Sequence, residues 1–406
     1  MIGGCPVPAD NGTRRRIFAS GVYLSQKHDV TFLSLRENVS GGGLRSDENE
    51  VPWRQVNVDM RTSGRLSSAL KGLVSTKSYA QVKYWNKEFQ SMLVNLTDGQ
   101  QFDAIWVHQL IMARYVEHIL LKYRGEERHN LPLMVLDQHN VDELYFRSYL
   151  AARVNIGWKM YAFLEVLKAK HLQKKWYPRF DAILCVAPED VQKTAEYVSE
   201  NTEIWLTPNG VDLEYFRPTE QVQSREIQPV LVFGGSLDVS MNQDAVIWFT
   251  SKILPLIGKH LPEIQFLIVG REPPPEIQRL SNLERVTVTG TVADVRSYYR
   301  QAAVFVAPLR VGGGTKLKVL EAMAMALPVV STAVGAQGLN AESGRHLLVA
   351  DNPNDFAGRV VELLNDREKA AQMGAAARRF VEEKYGWNAI FAEAEHRLAR
   401  LFHACK

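Results

Sequence analysis

The chain has 406 residues, 46% hydrophobic and 23% charged, which fits a globular protein and excludes collagen-like, low-complexity and wholly disordered chains. With 48 basic and 45 acidic side chains the net charge is +3, too even a balance to point to nucleic acid. Cys5, Cys185 and Cys405 are too scattered for a disulfide framework or zinc cluster, and no apolar window suits a membrane span or secretory signal. A cytoplasmic protein of two or three domains is expected.

Short apolar runs alternate with helical patterns along the chain, which predicts βα units and parallel sheets. In the first half, buried strands are expected over 30–35, 104–107, 134–136, 182–186 and 204–206, and helices over 14–26, 80–97, 114–121 and 162–176. Residues 70–74 and the stretch after Asn140 fit neither period clearly. Residues 36–50, with Gly41-Gly42-Gly43 and mixed charge, read as a loop. In the second half, strands over 230–233, 265–269, 286–289, 304–307, 329–331 and 347–349 alternate with helices over 243–257, 294–301, 316–326, 353–365 and 367–384. Residues 214–228, with Pro218 and little to bury after Phe216, read as the join between two α/β domains. A last amphipathic helix is expected over 387–402, after a break at Tyr385-Gly386.

Basic residues gather in two runs. Residues 61–87 hold six and no acid, interleaved with Leu66, Leu70, Leu73, Tyr79, Tyr84 and Trp85; residues 153–179 hold seven against Glu165. These are either solvated helix faces or a cationic surface for anionic lipid headgroups or a phosphorylated acceptor.

Open parallel sheets bind ligands at the carboxyl ends of their strands. After the strand at 230–233 comes Gly234-Gly235-Ser236. After the strand at 304–307 comes Arg310-Val311-Gly312-Gly313-Gly314-Thr315-Lys316, which runs straight into a helix. Glycines let a backbone approach a ligand, and a helix start offers N–H donors and a positive dipole. With the charges of Arg310 and Lys316 and the Thr315 hydroxyl, the run is either a tight βα turn or a diphosphate cradle. Glu321, inside an Ala- and Met-rich helix, is either an ion-paired surface acid or an acceptor for vicinal ribose hydroxyls. His139, after a strand, either satisfies a core hydrogen bond or serves a sugar hydroxyl or phosphate oxygen.

The run from Arg310 through Leu320-Glu321-Ala322-Met323-Ala324 to Thr332 resembles the donor-binding signature of retaining group 1 glycosyltransferases, family 4 of the carbohydrate-active enzymes. Pro6 to Gly12, Asp137-Gln138-His139-Asn140, Thr207-Pro208-Asn209-Gly210-Val211-Asp212 and Gly234 to Ala245 agree with it in order and spacing. The resemblance implies the GT-B fold, in which two Rossmann-like α/β domains face each other across a cleft. By it, residues 1–206 would bind the acceptor, 207–386 the nucleotide sugar, and the C-terminal helix 387–406 would cross back to the first domain. It implies His139 as a catalytic residue beside the transferred sugar, and the charges of the glycine run add Arg310 and Lys316 as catalytic candidates. It implies Gly12, Gly235, Ser236, Gly290, Gly313, Gly314, Thr315 and Glu321 as donor-binding, and Asn11, Arg14, His108 and Asp142 on the acceptor side.

The partners so implied are a nucleotide-diphosphate sugar, a UDP-sugar first, and a hydroxyl-bearing acceptor such as a polysaccharide or lipid-linked glycan precursor or a small-molecule glycoside. No cofactor, metal or nucleic acid is expected, and the location is cytoplasmic with contact at the inner face of an anionic membrane. Two features depart from the family pattern. Gly313 stands where the first of two glutamates is usual, and Ser236 and Met241-Asn242 stand where a basic pair is usual. The chain is therefore either an active transferase in which Arg310 and Lys316 supply that charge or a degenerate, non-catalytic partner subunit.

Overall fold

The computed structural model describes residues 1–7, 12–37, 51–60, 77–123, 130–151, 156–218, 229–312 and 315–405. The chain divides into two compact units, Met1–Pro208 with Asn388–Lys406, and Asn209–Trp387.

In the first unit the strands are β1 (Ile2–Gly4), β2 (Thr31–Glu37), β3 (Arg54–Met60), β4 (Ala104–His108), β5 (Leu133–Asp137), β6 (Ala182–Cys185) and β7 (Glu203–Leu206). They lie in the order β3-β2-β1-β4-β5-β6-β7, and every pairing is parallel. Parallel strands need helical crossovers that cover both faces, so the central strands are continuous apolar runs. Val107, Leu136 and Ile183 are fully buried against Trp176 and Tyr177.

The sequence reading missed β3. Its alternation of polar and apolar residues is that of an edge strand, and only Val58 and Met60 are buried. The helices used below are α1 (Gly12–Ser25), α2 (Tyr79–Lys83), α3 (Lys87–Gly99), α4 (Asp142–Ala151) and α5 (Ile156–Trp176). The single helix expected over 80–97 is two, α2 and α3. Asn86 interrupts it because its side chain caps α3, accepting from the backbone N–H groups of Glu88 at 2.8 Å and Phe89 at 3.2 Å. α5 begins six residues before the expected start at 162.

The second unit holds β8 (Val230–Gly234), β9 (Gln265–Val269), β10 (Val286–Val288), β11 (Val304–Ala307), β12 (Val329–Ser331) and β13 (Leu348–Val349). Their order is β10-β9-β8-β11-β12-β13, again all parallel. Phe249 anchors the core, 4.6 Å from the Phe266 ring and 6.0 Å from Phe356. After β11 the chain turns into α6 (Leu317–Ala324). Each unit thus has the doubly wound order of a Rossmann-like sheet. The order reverses between β1 and β4 in one unit and between β8 and β11 in the other, where such sheets open a crevice at their carboxyl ends.

The last helix, α7 (Trp387–Cys405), belongs with the first unit from Asn388 onward. Glu395 on it pairs with Lys27 at 3.1 Å, and the Arg16 guanidinium lies 5.7 Å from the Phe391 ring centre. Among the described residues no helix is long and apolar enough to cross a membrane. Residues 61–76 of the first basic run, and Arg153 of the second, lie outside the described residues.

Candidate active site

Each unit places its chemistry-bearing side chains at its own switch point. In the first, His108 ends β4 and Asp137 ends β5, and the two are direct partners in the parallel register. Gly3 on β1 makes room for the imidazole, since a Cβ there would stand 3.1 Å from the His108 Cβ. α1 brings in Arg16, which is fully buried. Its Nε and Nη2 reach Asp137 Oδ1 at 2.8 and 2.7 Å, and its Nη1 donates to the Pro208 carbonyl at 3.0 Å. Asp137 Oδ2 lies 3.2 Å from His108 Nδ1 and 3.9 Å from His139 Nε2, and the two imidazoles approach to 3.4 Å.

Burial disfavours charge on every member, and the neighbours decide which keep it. Burial would raise Asp137, but the Arg16 charge and the His108 hydrogen bond outweigh it and hold the carboxyl far below its usual range. Burial pushes His139 down to about 3 and lowers His108 as well, so both imidazoles are neutral at neutral pH. The Asp137 carboxylate attracts the N–H side of each ring. That leaves His139 Nδ1, which has no hydrogen-bond partner among the described residues, as an acceptor.

His108, Asp137 and His139 could also present three ligand atoms to one cation, all within 4.8 Å of one another. Arg16 already balances the single carboxylate, so a divalent ion would leave a buried excess of positive charge. The geometry suits a hydrogen-bonded cluster better. Asp142, in the first turn of α4, accepts from Asn140 Nδ2 at 2.9 Å, and burial pushes its carboxyl up to about 6. Arg14 is half-buried on α1 and Gly12 is its exposed first residue; Asn11 lies outside the described residues.

In the second unit the turn after β8 is crowded. A Cβ on Gly234 would stand 2.1 Å from the Tyr299 hydroxyl, and one on Gly235 would stand 2.7 Å from Lys318 Nζ. Lys318, in the first turn of α6, donates to Asn242 Oδ1 and lies 4.6 Å above the Phe233 ring. Asn242 Nδ2 in turn donates to the Ser236 carbonyl at 2.7 Å. Burial and the neighbouring Lys316 charge push Lys318 down to about 7. Lys316 is buried at the start of α6, its Nζ 3.6 Å from where a Cβ on Gly312 would be. From the loop after β9, Arg271 Nε donates to the Ser236 hydroxyl at 3.1 Å.

Glu321 is buried on α6, and Thr315 is buried with its hydroxyl donating to the Gly338 carbonyl at 3.3 Å. Gly290, after β10, has φ +68° and open space where a side chain would be. Gly313 and Gly314 lie outside the described residues. Arg310 turns elsewhere. Its Nε reaches Asp244 Oδ2 at 3.0 Å, a second guanidinium nitrogen meets Oδ1, and the group lies 5.2 Å from the Trp248 ring centre. The cations gathered at the glycine turns are therefore Lys316 and Lys318, where Arg310 and Lys316 were expected. Lys318 was missed because its position reads as an ordinary helical residue. Arg16 was missed as a buried partner because its acid is 121 residues away in sequence.

Residues 228–366 match the model of a family described as glycosyl transferases group 1. The chain is 24% identical over 398 residues to an uncharacterized 44.6 kDa protein in the cps region of Klebsiella pneumoniae, covering 96% of each. It is 26% identical over 260 residues to a GDP-mannose-dependent alpha-(1-6)-phosphatidylinositol monomannoside mannosyltransferase of Mycobacterium tuberculosis, covering 59% of this chain and 65% of that one. Among solved structures, sucrose-phosphate synthase from Thermosynechococcus elongatus superposes with a TM-score of 0.72 at 17% identity, covering 99% and 98% of the two chains. Anabaena HepE in complex with UDP and glucose gives 0.66 at 11% identity, covering 98% of both.

Proposed function

We propose that the chain, which has the GT-B fold, is a group 1 glycosyltransferase that moves a sugar from a nucleotide-diphosphate sugar to a hydroxyl acceptor with retention of anomeric configuration. The observation that carries this reading is the lysine pair, Lys316 and Lys318, set against the glycine turns that follow β8 and β11. As the glycosidic bond breaks, negative charge grows on the departing diphosphate. Fixed cations and the N–H groups at the start of α6 stabilise that charge without reorganising. In this mechanism the lysines carry the leaving-group charge, so no metal is required. Glu321 accepts from the ribose hydroxyls, and Thr315 with the Gly235-Ser236 backbone lines the donor. In the first unit, neutral His139 accepts a hydrogen bond from a sugar hydroxyl at Nδ1, with His108 and Asp137 fixing its ring and Asp142 beside the acceptor.

A degenerate partner subunit is the rival reading, because Gly313 stands where the first glutamate is usual and the Gly234 loop carries no basic residue of its own. Lys318 and Arg271 reach that loop from α6 and from the loop after β9, which favours the active reading. The UDP bound to HepE supports a UDP-sugar as the first donor to try. The cps region and phosphatidylinositol mannoside named in the relatives support a polysaccharide or lipid-linked precursor as acceptor.

A thermal-shift panel of UDP-, GDP-, ADP- and dTDP-sugars tests the reading. A donor at 100 times its dissociation constant should stabilise the protein by about 2.7 kcal/mol. The stabilising donor should then be hydrolysed slowly in chelator-treated buffer, and the anomer first released, followed by NMR, should match the donor. Stabilisation without hydrolysis would favour the degenerate reading, and no stabilisation by any donor would overturn both.

A further inference from the structure

α5 presents an apolar stripe that the described residues of its unit leave exposed. Ile156, Met160, Phe163, Leu164 and Leu167 fall at i, i+4, i+7, i+8 and i+11, so they share one face of the helix. They are 75%, 64%, 54%, 38% and 49% exposed. The opposite face, with Ala162, Val166, Ala169, Leu172 and Trp176, is buried in the unit. A helix that only builds a core needs one apolar face, and this one has two. Other large apolar side chains exposed among the described residues are mostly single and scattered, as is normal for a protein surface.

Charge is arranged to match. Toward its C-terminal end the same stripe continues as Lys170, His171 and Lys174, and Lys159 and Lys175 flank it. Glu165 is the one acid of the helix, and it is buried on the inner face, paired with Lys168 at 3.0 Å. The outer face is therefore apolar for about three turns and then basic, with no carboxylate of its own; Lys170 lies 3.8 Å from Glu143 and Lys175 3.0 Å from Glu117, while Lys159, His171 and Lys174 extend the charge. A second copy of the helix crossing antiparallel near residue 162 would cover the apolar span but leave the lysines without an anion. Phosphates above a hydrocarbon boundary satisfy both halves of the stripe, because apolar residues enter the acyl boundary while lysines remain among the headgroups.

We propose that the outer face of α5 docks on the surface of an anionic lipid bilayer. The apolar span from Ile156 to Leu167 is about 16 Å long at 1.5 Å per residue, enough for a helix lying in the interface and far too short to cross it. α5 packs along α4, which begins at Asp142, so docking sets the bilayer beside the element that follows the His139 loop.

The test is co-sedimentation of the full chain with vesicles of phosphatidylcholine alone or containing phosphatidylglycerol. Binding should be at least about ten-fold tighter to the phosphatidylglycerol vesicles and should weaken as salt rises. The pair Phe163→Ser and Leu167→Ser should reduce binding about ten-fold or more without lowering the unfolding midpoint, because both side chains are exposed. Lys159→Glu with Lys174→Glu should remove the preference for the anionic vesicles. Failure to bind them, or binding that neither pair changes, would overturn the proposal. A lipid-free dimer that Phe163→Ser dissociates would assign the face to a second copy instead.

Discussion

At the switch point of the first unit, a buried carboxylate and a guanidinium balance each other's charge beside two neutral imidazoles, with His139 Nδ1 left without a partner among the described residues. At that of the second, two lysines stand together and an amide, Asn242, is the hydrogen-bond partner of Lys318. The first arrangement is electrically closed and pins the ends of β4 and β5 to α1. The second keeps positive charge concentrated at turns where glycine has cleared space. Similar sheets can therefore arrange charge differently at the same topological position, balanced within a buried ion pair in one and gathered as two neighbouring lysines in the other.

The sharpest way to break this comparison is to remove one charge from each site. Asp137→Asn leaves the Arg16 guanidinium buried without its counter-ion, and urea unfolding should show a loss of about 3–5 kcal/mol. Lys318→Met should leave the unliganded protein as stable as the parent or more so, since it removes a cation whose charge burial already disfavours. A harmless Asp137→Asn would mean that the first cluster is not what holds its unit together.

The next effect is on turnover. With the best donor, Lys318→Ala should lower kcat by about 10²–10³, as loss of one fixed donor to a developing anion does, and should change donor KM less. Near-normal turnover would move the diphosphate charge to Lys316 or Arg271.

A smaller effect separates the units by pH. Burial holds His139 at about 3 in the folded protein against 6.5 as its ordinary value. Between those values the unfolded chain takes up a proton that the native one refuses. His139's contribution is therefore full above about pH 6.5 and falls by about 2 kcal/mol as pH drops to 5. Asp142 acts in the opposite sense, because its raised carboxyl weakens the fold as pH rises from 3.8 past about 6. His139→Gln isolates the histidine: the variant's stability should decline less than the parent's between pH 7 and 5, by about 2 kcal/mol. Equal declines would place the histidine's proton outside the folding equilibrium.

The smallest effect is expected at Arg310. Its half-exposed pair with Asp244 should be worth about 1 kcal/mol or less, and Arg310→Ala should keep turnover within a few-fold of the parent. A large loss of turnover would return Arg310 to the donor site.

These contrasts show what the sequence could disclose. Buried parallel strands are legible because they are short apolar runs, and the glycine turns are legible because they follow those runs directly. β3 was not, since an edge strand buries only part of one face and its Asn57 and Asp59 read as loop residues. The start of α5 was hidden for a related reason: its first apolar residues lie on the exposed face and break the pattern of the buried one. Lys318 and Arg16 were visible as residues but not as site members, because tertiary packing alone brings them to Gly235 and Asp137.

A lysine lowered to about 7 also carries its proton only part of the time near neutrality. Phosphates placed beside it would restore ordinary lysine basicity, so donor binding would draw a proton from solution, about half at pH 7 and nearly a whole one at pH 8. The heat of binding would then differ between buffers in proportion to their ionisation enthalpies. Above neutrality the affinity would fall by up to about ten-fold per pH unit. Through this one helix position, donor recognition would become a proton-coupled equilibrium.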